Sequence, residues 1–172
     1  FMDIAFSGSG STNFSAITGL SGDCGGNSGA TFTTPAAQTF DTTTGNWSTA
    51  ARWTSRVPLP QDNVSFSTSS VAITLDMPRV GKDVNFTNYS GTLTWTTGLA
   101  QTFYGSVTFV SGMTMSFGNT VNWVLAGRGS HTFDSGGKTF TGTNMSTTIN
   151  APGGTYTLAS AYTTGHGLTV AY

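Results

Sequence analysis

The sequence predicts an all-β fold, a β-solenoid of about five turns preceded by an N-terminal cap. Three observations support this prediction. The composition favours strands and turns, a short apolar–polar–apolar triplet recurs at a nearly constant interval, and glycines fall between the triplets. In a β-solenoid the chain winds into stacked turns, so that each turn contributes a strand to each of several sheets.

The composition is poor in charge and rich in small polar residues. Charged residues make up 8% of the 172 positions, against about 25% in typical soluble domains. Serine and threonine fill 53 positions and glycine fills 23, and the seven acidic residues are all aspartate. Threonine, valine and aromatic residues favour strands. With 37% hydrophobic residues and a net charge of −1, we expect a folded chain rather than a disordered one.

A triplet with apolar outer residues and a small polar middle residue recurs from residue 64 onward. The first series is VSF, VNF, VTF, HTF and YTL, starting at residues 64, 84, 107, 131 and 156, so the intervals are 20, 23, 24 and 25 residues. A second series starts at 73, 93, 115, 138 and 162, and a weaker third series starts at 102, 123, 147 and 168. Three short strands per interval describe one turn of a solenoid.

The alternation within each triplet predicts how the strands pack. Successive side chains of a strand point to opposite faces, so the outer residues should face the core and the middle residue should face solvent. Turns stacked about 4.8 Å apart would place Phe86, Phe109 and Phe133 in one file. The alternative is a β-sandwich or jelly roll, since strands with turn signals every 8 to 12 residues also describe that fold. The nearly constant interval favours the solenoid.

The first part of the chain lacks the triplet register. We therefore divide the sequence into an N-terminal extension and cap, residues 1–60, and solenoid repeats, residues 61–172. Trp47 and Trp53 are expected to cover the edge of the first turn, which protects its backbone groups from further pairing. The opening segment FMDIAFS is apolar and has no local hairpin partner, so residues 1–7 are a candidate donor strand.

Two segments carry a resemblance to known proteins. They are NWSTAARWTSRVPLPQDNVSF, with its W-x(5)-W…P…D-x-V-x-F pattern, and SGGKTFTGTNMSTTINAPGGTYTLAS, with its G-K-T-F…G-G-T-Y-T-L turns. Over about residues 45–170 the chain resembles repeat-rich β-helix surface and fibre proteins of environmental bacteria and phages. The resemblance implies an extracellular or virion-surface role as an adhesin, spike or fibre, and it supplies no catalytic residues.

The sequence offers little for catalysis, and we expect a protein that is not an enzyme and holds no cofactor or metal. His131 and His166 are 35 residues apart, with no cluster of ligands at the usual spacing. The acidic residues closest in sequence are Asp62, Asp76 and Asp83, and pairing with neighbouring basic residues or turn capping explains them more simply than glycoside hydrolysis.

The expected partners are other copies of the same chain, joined head to tail through strand edges. The candidate assembly residues are Phe1, Met2, Ile4, Phe6, Leu168, Val170 and Tyr172. Six asparagines fit the N-glycosylation pattern, namely Asn13, Asn46, Asn63, Asn85, Asn88 and Asn144.

Glycans are the alternative partner, in a carbohydrate-binding or host-recognition module, with Trp47 and Tyr89 as the candidate platform. Six scattered basic residues are too few for strong binding to nucleic acid. No apolar run is long enough to span a membrane.

Overall fold

The computed structural model describes residues 12–15, 20–142 and 144–171. This part of the chain folds into a β-solenoid of about six turns, close to the predicted five. Its paired strands run parallel, as stacked turns require and as a sandwich built from antiparallel hairpins does not. The predicted all-β solenoid is therefore confirmed.

The strands are short and each forms one side of a turn. In chain order they are β1 (Thr12–Asn13), β2 (Ala30–Thr31), β3 (Gln38–Phe40), β4 (Gly45–Asn46), β5 (Val64–Phe66), β6 (Ile73–Leu75), β7 (Arg79–Gly81), β8 (Val84–Asn85), β9 (Thr92–Trp95), β10 (Ala100–Phe103), β11 (Val107–Thr108), β12 (Thr114–Phe117), β13 (Val121–Leu125), β14 (Ser130–Asp134), β15 (Thr139–Phe140), β16 (Met145–Asn150), β17 (Thr155–Leu158), β18 (Thr163–Thr164) and β19 (Leu168–Ala171). A short 3₁₀ turn, Ala50–Arg52, follows β4.

The strands stack into three faces. Face A contains β7, β10, β13, β16 and β19, and face B contains β3, β5, β8, β11, β14 and β17. Face C contains β4, β6, β9 and β12. In each of the last two turns the strand that follows the face B strand is β15 or β18, and these two strands pair with each other. The first turn thus begins with β3, and each later turn begins with the next strand of face B, up to the sixth turn, β17 to β19.

Face C is interrupted between the fourth and fifth turns, because β12 and β15 do not pair. Lys138 crosses this interruption, and its Nζ donates to the carbonyl oxygens of Ser111, at 2.6 Å, and Met113. The rings of Phe117 and Phe140 also approach each other there, with centroids 6.2 Å apart and planes inclined by 55°. Side chains therefore connect the two turns on the face where the backbone ladder is missing.

The alternation predicted from the triplets is present in the strands. In β5, Val64 and Phe66 are buried and Ser65 is exposed. Face B stacks Phe66 on Phe86 and Phe86 on Phe109, with ring centroids 4.3 and 5.3 Å apart. This file of aromatic rings forms the centre of a continuous apolar core.

The file shifts at the next turn. Val107 pairs with Phe133 rather than with His131, so β14 is displaced by two residues relative to the expected register. A displacement of two residues keeps the same side chains facing inward. Phe133 consequently remains in the core but meets Phe109 edge-on, at 6.0 Å, instead of stacking on it.

Glycine is required where one turn passes close to the backbone of another. Gly136 has a φ of 58°, and a Cβ atom there would lie 2.6 Å from the backbone of Phe109. A side chain at this corner would therefore be strained and would push the fourth and fifth turns apart.

The parallel stack begins earlier in the chain than the expected boundary near residue 60. β3 pairs with β5, so that Gln38 lies beside Val64 and Phe40 beside Phe66. The inward position of Gln38 is polar, which hid the QTF triplet from the sequence pattern. Its Oε1 accepts hydrogen bonds from the backbone N–H groups of Ser55 and Arg56, so the buried amide is satisfied.

Candidate functional site

The last turn exposes apolar side chains that elsewhere in the solenoid would be buried. Leu158, Leu168 and Val170 are 54%, 49% and 49% exposed. Leu158 is in register with the buried Phe133, and Val170 is in register with Ile149. These three side chains continue the inward rows of faces A and B, and we call them the exposed rim.

The strands of the last turn also have one edge that pairs with no other described strand. Within the described residues, β17, β18 and β19 are the terminal strands of their sheets. Such an edge presents backbone N–H and C=O groups that can pair with an added strand. The exposed rim therefore combines an apolar surface with free strand edges, which are the two components of β-strand addition.

Polar contacts attach the last turn to the turns below it. The Tyr156 hydroxyl donates to the carbonyl oxygen of Gly105 at 3.1 Å and accepts from the N–H of Gly127 at 2.9 Å. Burial raises the pKa of Tyr156 to about 12. Ser160 Oγ donates to Asp134 Oδ1 at 2.7 Å, and this hydrogen bond is the main reason why the pKa of Asp134 is lowered.

The first turn is covered at its outer end. We call residues 47–62 the cover segment. Trp53 packs edge-on against Phe40 and Trp47, with centroids 5.0 and 4.7 Å apart, and its indole N–H donates to the carbonyl oxygen of Trp47 at 2.7 Å. Trp53 also forms an antiparallel bridge with Phe40, and the N–H of Asp41 donates to the carbonyl oxygen of Arg52 at 2.9 Å. The edge of β3 is thus already occupied.

A buried ion pair holds the cover segment in place. Arg56 Nη2 and Nε donate to the two oxygens of Asp62 at 2.7 and 2.9 Å, and Asp62 is fully buried. The same carboxylate accepts hydrogen bonds from the N–H group of Ala36 at 2.8 Å and from that of Leu59 at 2.9 Å. The hydrogen bond to Asp62 raises the pKa of Arg56. The charged groups therefore lose water but gain a nearly complete set of hydrogen bonds.

The predicted assembly residues fall into two groups. Leu168 and Val170 belong to the exposed rim. The others, namely Phe1, Met2, Ile4, Phe6 and Tyr172, lie outside the described residues.

The predicted glycan platform is wrong. Trp47 is 0% exposed and Tyr89 is 1% exposed, because Trp47 packs against Trp53 and Phe66 and Tyr89 packs against Phe66 and Phe86. The Tyr89 hydroxyl donates to the carbonyl oxygen of Val71 at 2.8 Å, and burial raises the pKa of Tyr89. Neither ring can present a face to a sugar.

The asparagines of the glycosylation pattern all lie at the surface. The exposed set is Asn13, Asn46, Asn63, Asn85, Asn88 and Asn144. Asn144 has a left-handed φ of 56°, which asparagine tolerates better than most residues. Surface exposure is necessary for modification, and glycosylation itself stays a prediction.

The residues weighed for catalysis are not brought together. Asp62 pairs with Arg56, Asp76 accepts from the N–H and hydroxyl of Ser48, and Asp83 accepts from the N–H of Ser106. Each carboxylate therefore has a separate structural contact. Among the described residues there is no group of three or more His, Cys, Asp or Glu side chains that could hold a metal ion.

Sequence reasoning missed a cleft of about 520 Å³ beside the corner between faces A and B. The corner side contributes Lys82, Tyr104, Arg128 and His131, and the facing wall includes Asp23. His131 Nε2 lies 2.9 Å from the carbonyl oxygen of Arg128, which fixes the orientation of the imidazole. We call this space the corner cleft. No local pattern predicts it, because the residues that line it are scattered along the chain between Asp23 and His131.

No family model, curated protein or solved structure matches the chain. Of the helical residues that the structure describes, none forms a helix long and apolar enough to cross a membrane.

Proposed function

We propose that this protein is a structural subunit of an extracellular filament or of a surface or virion fibre. Copies join head to tail, and the exposed rim of one copy is covered by the next. The observation that carries this proposal is the exposure of Leu158, Leu168 and Val170 in rows that are buried in the turns below. Covering these half-exposed side chains would stabilise the contact by roughly 1 kcal/mol each.

The segment that covers the exposed rim is the N-terminal strand of a neighbouring copy. The cover segment already occupies the edge of β3, so the first turn offers no free edge on face B for direct stacking. Residues 1–7 carry apolar side chains at Met2, Ile4 and Phe6, the alternation that an inward-facing strand needs. A contact between two different surfaces of identical subunits does not close on itself and yields an open filament.

The composition supports the same proposal. A net charge of −1 and few charged residues allow subunits to pack closely with little self-repulsion. The described carboxylates and the imidazole of His131 are held in structural contacts, which favours a role without catalysis. An extracellular or virion-surface location is part of the proposal and derives from the resemblance to surface and fibre proteins.

Two complementary variants test the assembly. Leu168→Asp places a charge in the exposed rim, and the double variant Ile4→Asp/Phe6→Asp disrupts the proposed donor strand. Each should remain monomeric when the wild-type protein forms filaments, as measured by sedimentation velocity and negative-stain microscopy. A mixture of the two should form dimers that do not grow, because each dimer combines one intact donor with one intact rim.

The matched control is Thr169→Asp, which introduces the same charge on the outward side of the same strand. It should assemble like the wild-type protein. A wild-type protein that stays monomeric over the accessible concentration range would overturn the proposal. Filaments that survive the donor-strand variant but not Leu168→Asp would refute strand donation and leave the rim contact in place.

A carbohydrate-binding function is the second candidate. The buried positions of Trp47 and Tyr89 remove the platform predicted from the sequence. The corner cleft now supports this candidate.

A further inference from the structure

We propose that the corner cleft binds an acidic sugar, a hydroxyl-rich ring that carries a carboxylate. The cleft has a volume of about 520 Å³, within the range of about 300–1,000 Å³ that is typical of small-molecule sites. It lies between the segment that precedes β3 and the corner formed by the second, third and fourth turns. It is distinct from both the exposed rim and the cover segment's tryptophans.

The wall facing the corner is held by its own hydrogen bonds. Gln61 Oε1 accepts from the N–H of Asp23 at 2.8 Å, and its Nε2 donates to the carbonyl oxygens of Ser21 and Thr33 at 3.0 and 2.8 Å. These bonds tie residues 21–33 to the loop before β5. The cleft is therefore formed before any ligand arrives, which lowers the entropic cost of binding.

The charge of the cleft favours an anion. Lys82 and Arg128 are two of only six basic residues in the chain, and both line this space. Among the described residues of the lining the carboxylate is that of Asp23, which accepts through Oδ1 from the N–H of Gly25 at 2.8 Å and from Asn27 Nδ2 at 2.7 Å. Arg52 and Arg56, which form ion pairs with Asp41 and Asp62, lie outside the lining. Lys82 is exposed and stands one turn below Tyr104 on the same corner.

The remaining groups suit a sugar better than a simple ion. Tyr104 offers a partly exposed aromatic ring, and Asn63 and His131 offer polar groups at the edge of the same space. A sugar ring can pack on the aromatic side chain while its hydroxyls reach the polar groups and its carboxylate meets Lys82 and Arg128. Glycoside hydrolysis commonly needs two carboxyl groups, and the described residues of the lining supply one, that of Asp23, so the proposal is binding without cleavage.

Calorimetric titration with oligomers of galacturonic acid tests the proposal, with the corresponding neutral galactose oligomers as the reference ligand. The Leu168→Asp background keeps the protein monomeric, so that binding is measured apart from assembly. We expect the acidic oligomer to bind at least tenfold more tightly than the neutral one. Lys82→Gln should weaken binding of the acidic oligomer about tenfold or more, because a hydrogen bond to a charged group is lost.

Two further variants separate the cleft from general charge. Arg52→Gln removes one positive charge outside the cleft and should leave the affinity unchanged. Ala37→Trp places a large side chain at the cleft and should abolish binding while the melting temperature of the free protein stays near that of the parent. Equal affinity for acidic and neutral oligomers, an unaffected Lys82→Gln variant, or inorganic phosphate binding as tightly as the sugar would overturn the proposal. None of these outcomes changes the filament test.

Discussion

The first and last turns of the solenoid present the same kind of inward apolar row to very different surroundings. At the first turn, the row that contains Phe40 is closed by Trp53 and Trp47. At the last turn, the neighbouring inward row of the same face ends at Leu158, which is more than half exposed. Repeating strands therefore do not determine how a solenoid ends. At one end the non-repeating residues 47–62 cover the apolar row. At the other end, as far as the described residues show, the apolar side chains stay exposed.

The two ends also differ in the type of bond that holds them. The cover segment depends on buried aromatic packing and on the fully buried carboxylate of Asp62. The last turn depends on hydrogen bonds of partly exposed groups, chiefly those of Tyr156 and Ser160, and on the partly buried ring of Tyr162, which stacks on Phe140 at 5.3 Å. We expect the first turn to be the more stable of the two in the monomer, since stability in stacked repeats is set by contacts between neighbours.

The largest expected effect comes from removing the aromatic cover. Trp53→Ala should lower the free energy of unfolding by about 3–5 kcal/mol, because it deletes a large buried side chain and leaves a cavity. Leu168→Ala should lower it by less than about 1 kcal/mol, since Leu168 is half exposed in the monomer. Urea denaturation at concentrations where the protein is monomeric measures both. Equal losses for the two variants would contradict the difference between the ends.

A smaller effect is expected from the ion pair of the cover segment. Asp62→Asn should destabilise the protein by about 2–3 kcal/mol, because an amide cannot accept all the hydrogen bonds of the carboxylate. The control is Asp41→Asn, which affects the Arg52–Asp41 pair. The Asp41 side chain is 40% exposed, so we expect a loss of about 1 kcal/mol or less. An Asp62→Asn variant as stable as Asp41→Asn would show that the buried pair does not hold the cover segment.

The smallest expected effect concerns the attachment of the last turn. Tyr156→Phe removes two hydrogen bonds and should cost about 1–2 kcal/mol. The pKa of Tyr156 is raised to about 12 in the folded protein, whereas a tyrosine in the unfolded chain has a pKa of about 10. The neutral phenol therefore contributes its full stabilisation at pH values below about 10. That contribution should decline as the pH rises from about 10 towards 12. Amide hydrogen exchange would detect the loosening first in residues 155–171.

The Tyr156→Phe variant is the control for the pH dependence of the wild-type protein, because it has no phenol to ionise at this position. Its last turn should show no added loosening over the same pH interval beyond that caused by other groups. Loosening of the first turn before the last turn at alkaline pH would contradict the assignment of Tyr156 as the attachment.

The sequence predicts the fold where side-chain alternation and the interval agree. Val64, Phe66, Val84 and Phe86 repeat in both type and spacing, and all four are buried in stacked turns. The first turn escapes the same reasoning because Gln38 occupies an inward position. Its amide is matched by Ser55 and Arg56, 17 and 18 residues further along the chain, and a pattern search cannot foresee such a match.

The sites were harder to predict than the fold. The apolar character of Leu168 and Val170 is visible in the sequence, but the burial of Trp47 and Tyr89 is not, because an aromatic residue in a loop fits either a core or a sugar-binding surface. The corner cleft depends on bringing residues near 23 beside residues near 128. Only the register of the stacked turns places them together.

The interruption of face C between β12 and β15 has a mechanical consequence. In stacked parallel strands the hydrogen bonds between turns run along the long axis, so a tensile load on that axis is shared by all bonds of one layer. The layer between the fourth and fifth turns has backbone ladders on faces A and B alone, with the ammonium group of Lys138 spanning the third side. Under tension we expect this layer to separate more readily than the layers directly above and below it, each of which has three backbone ladders.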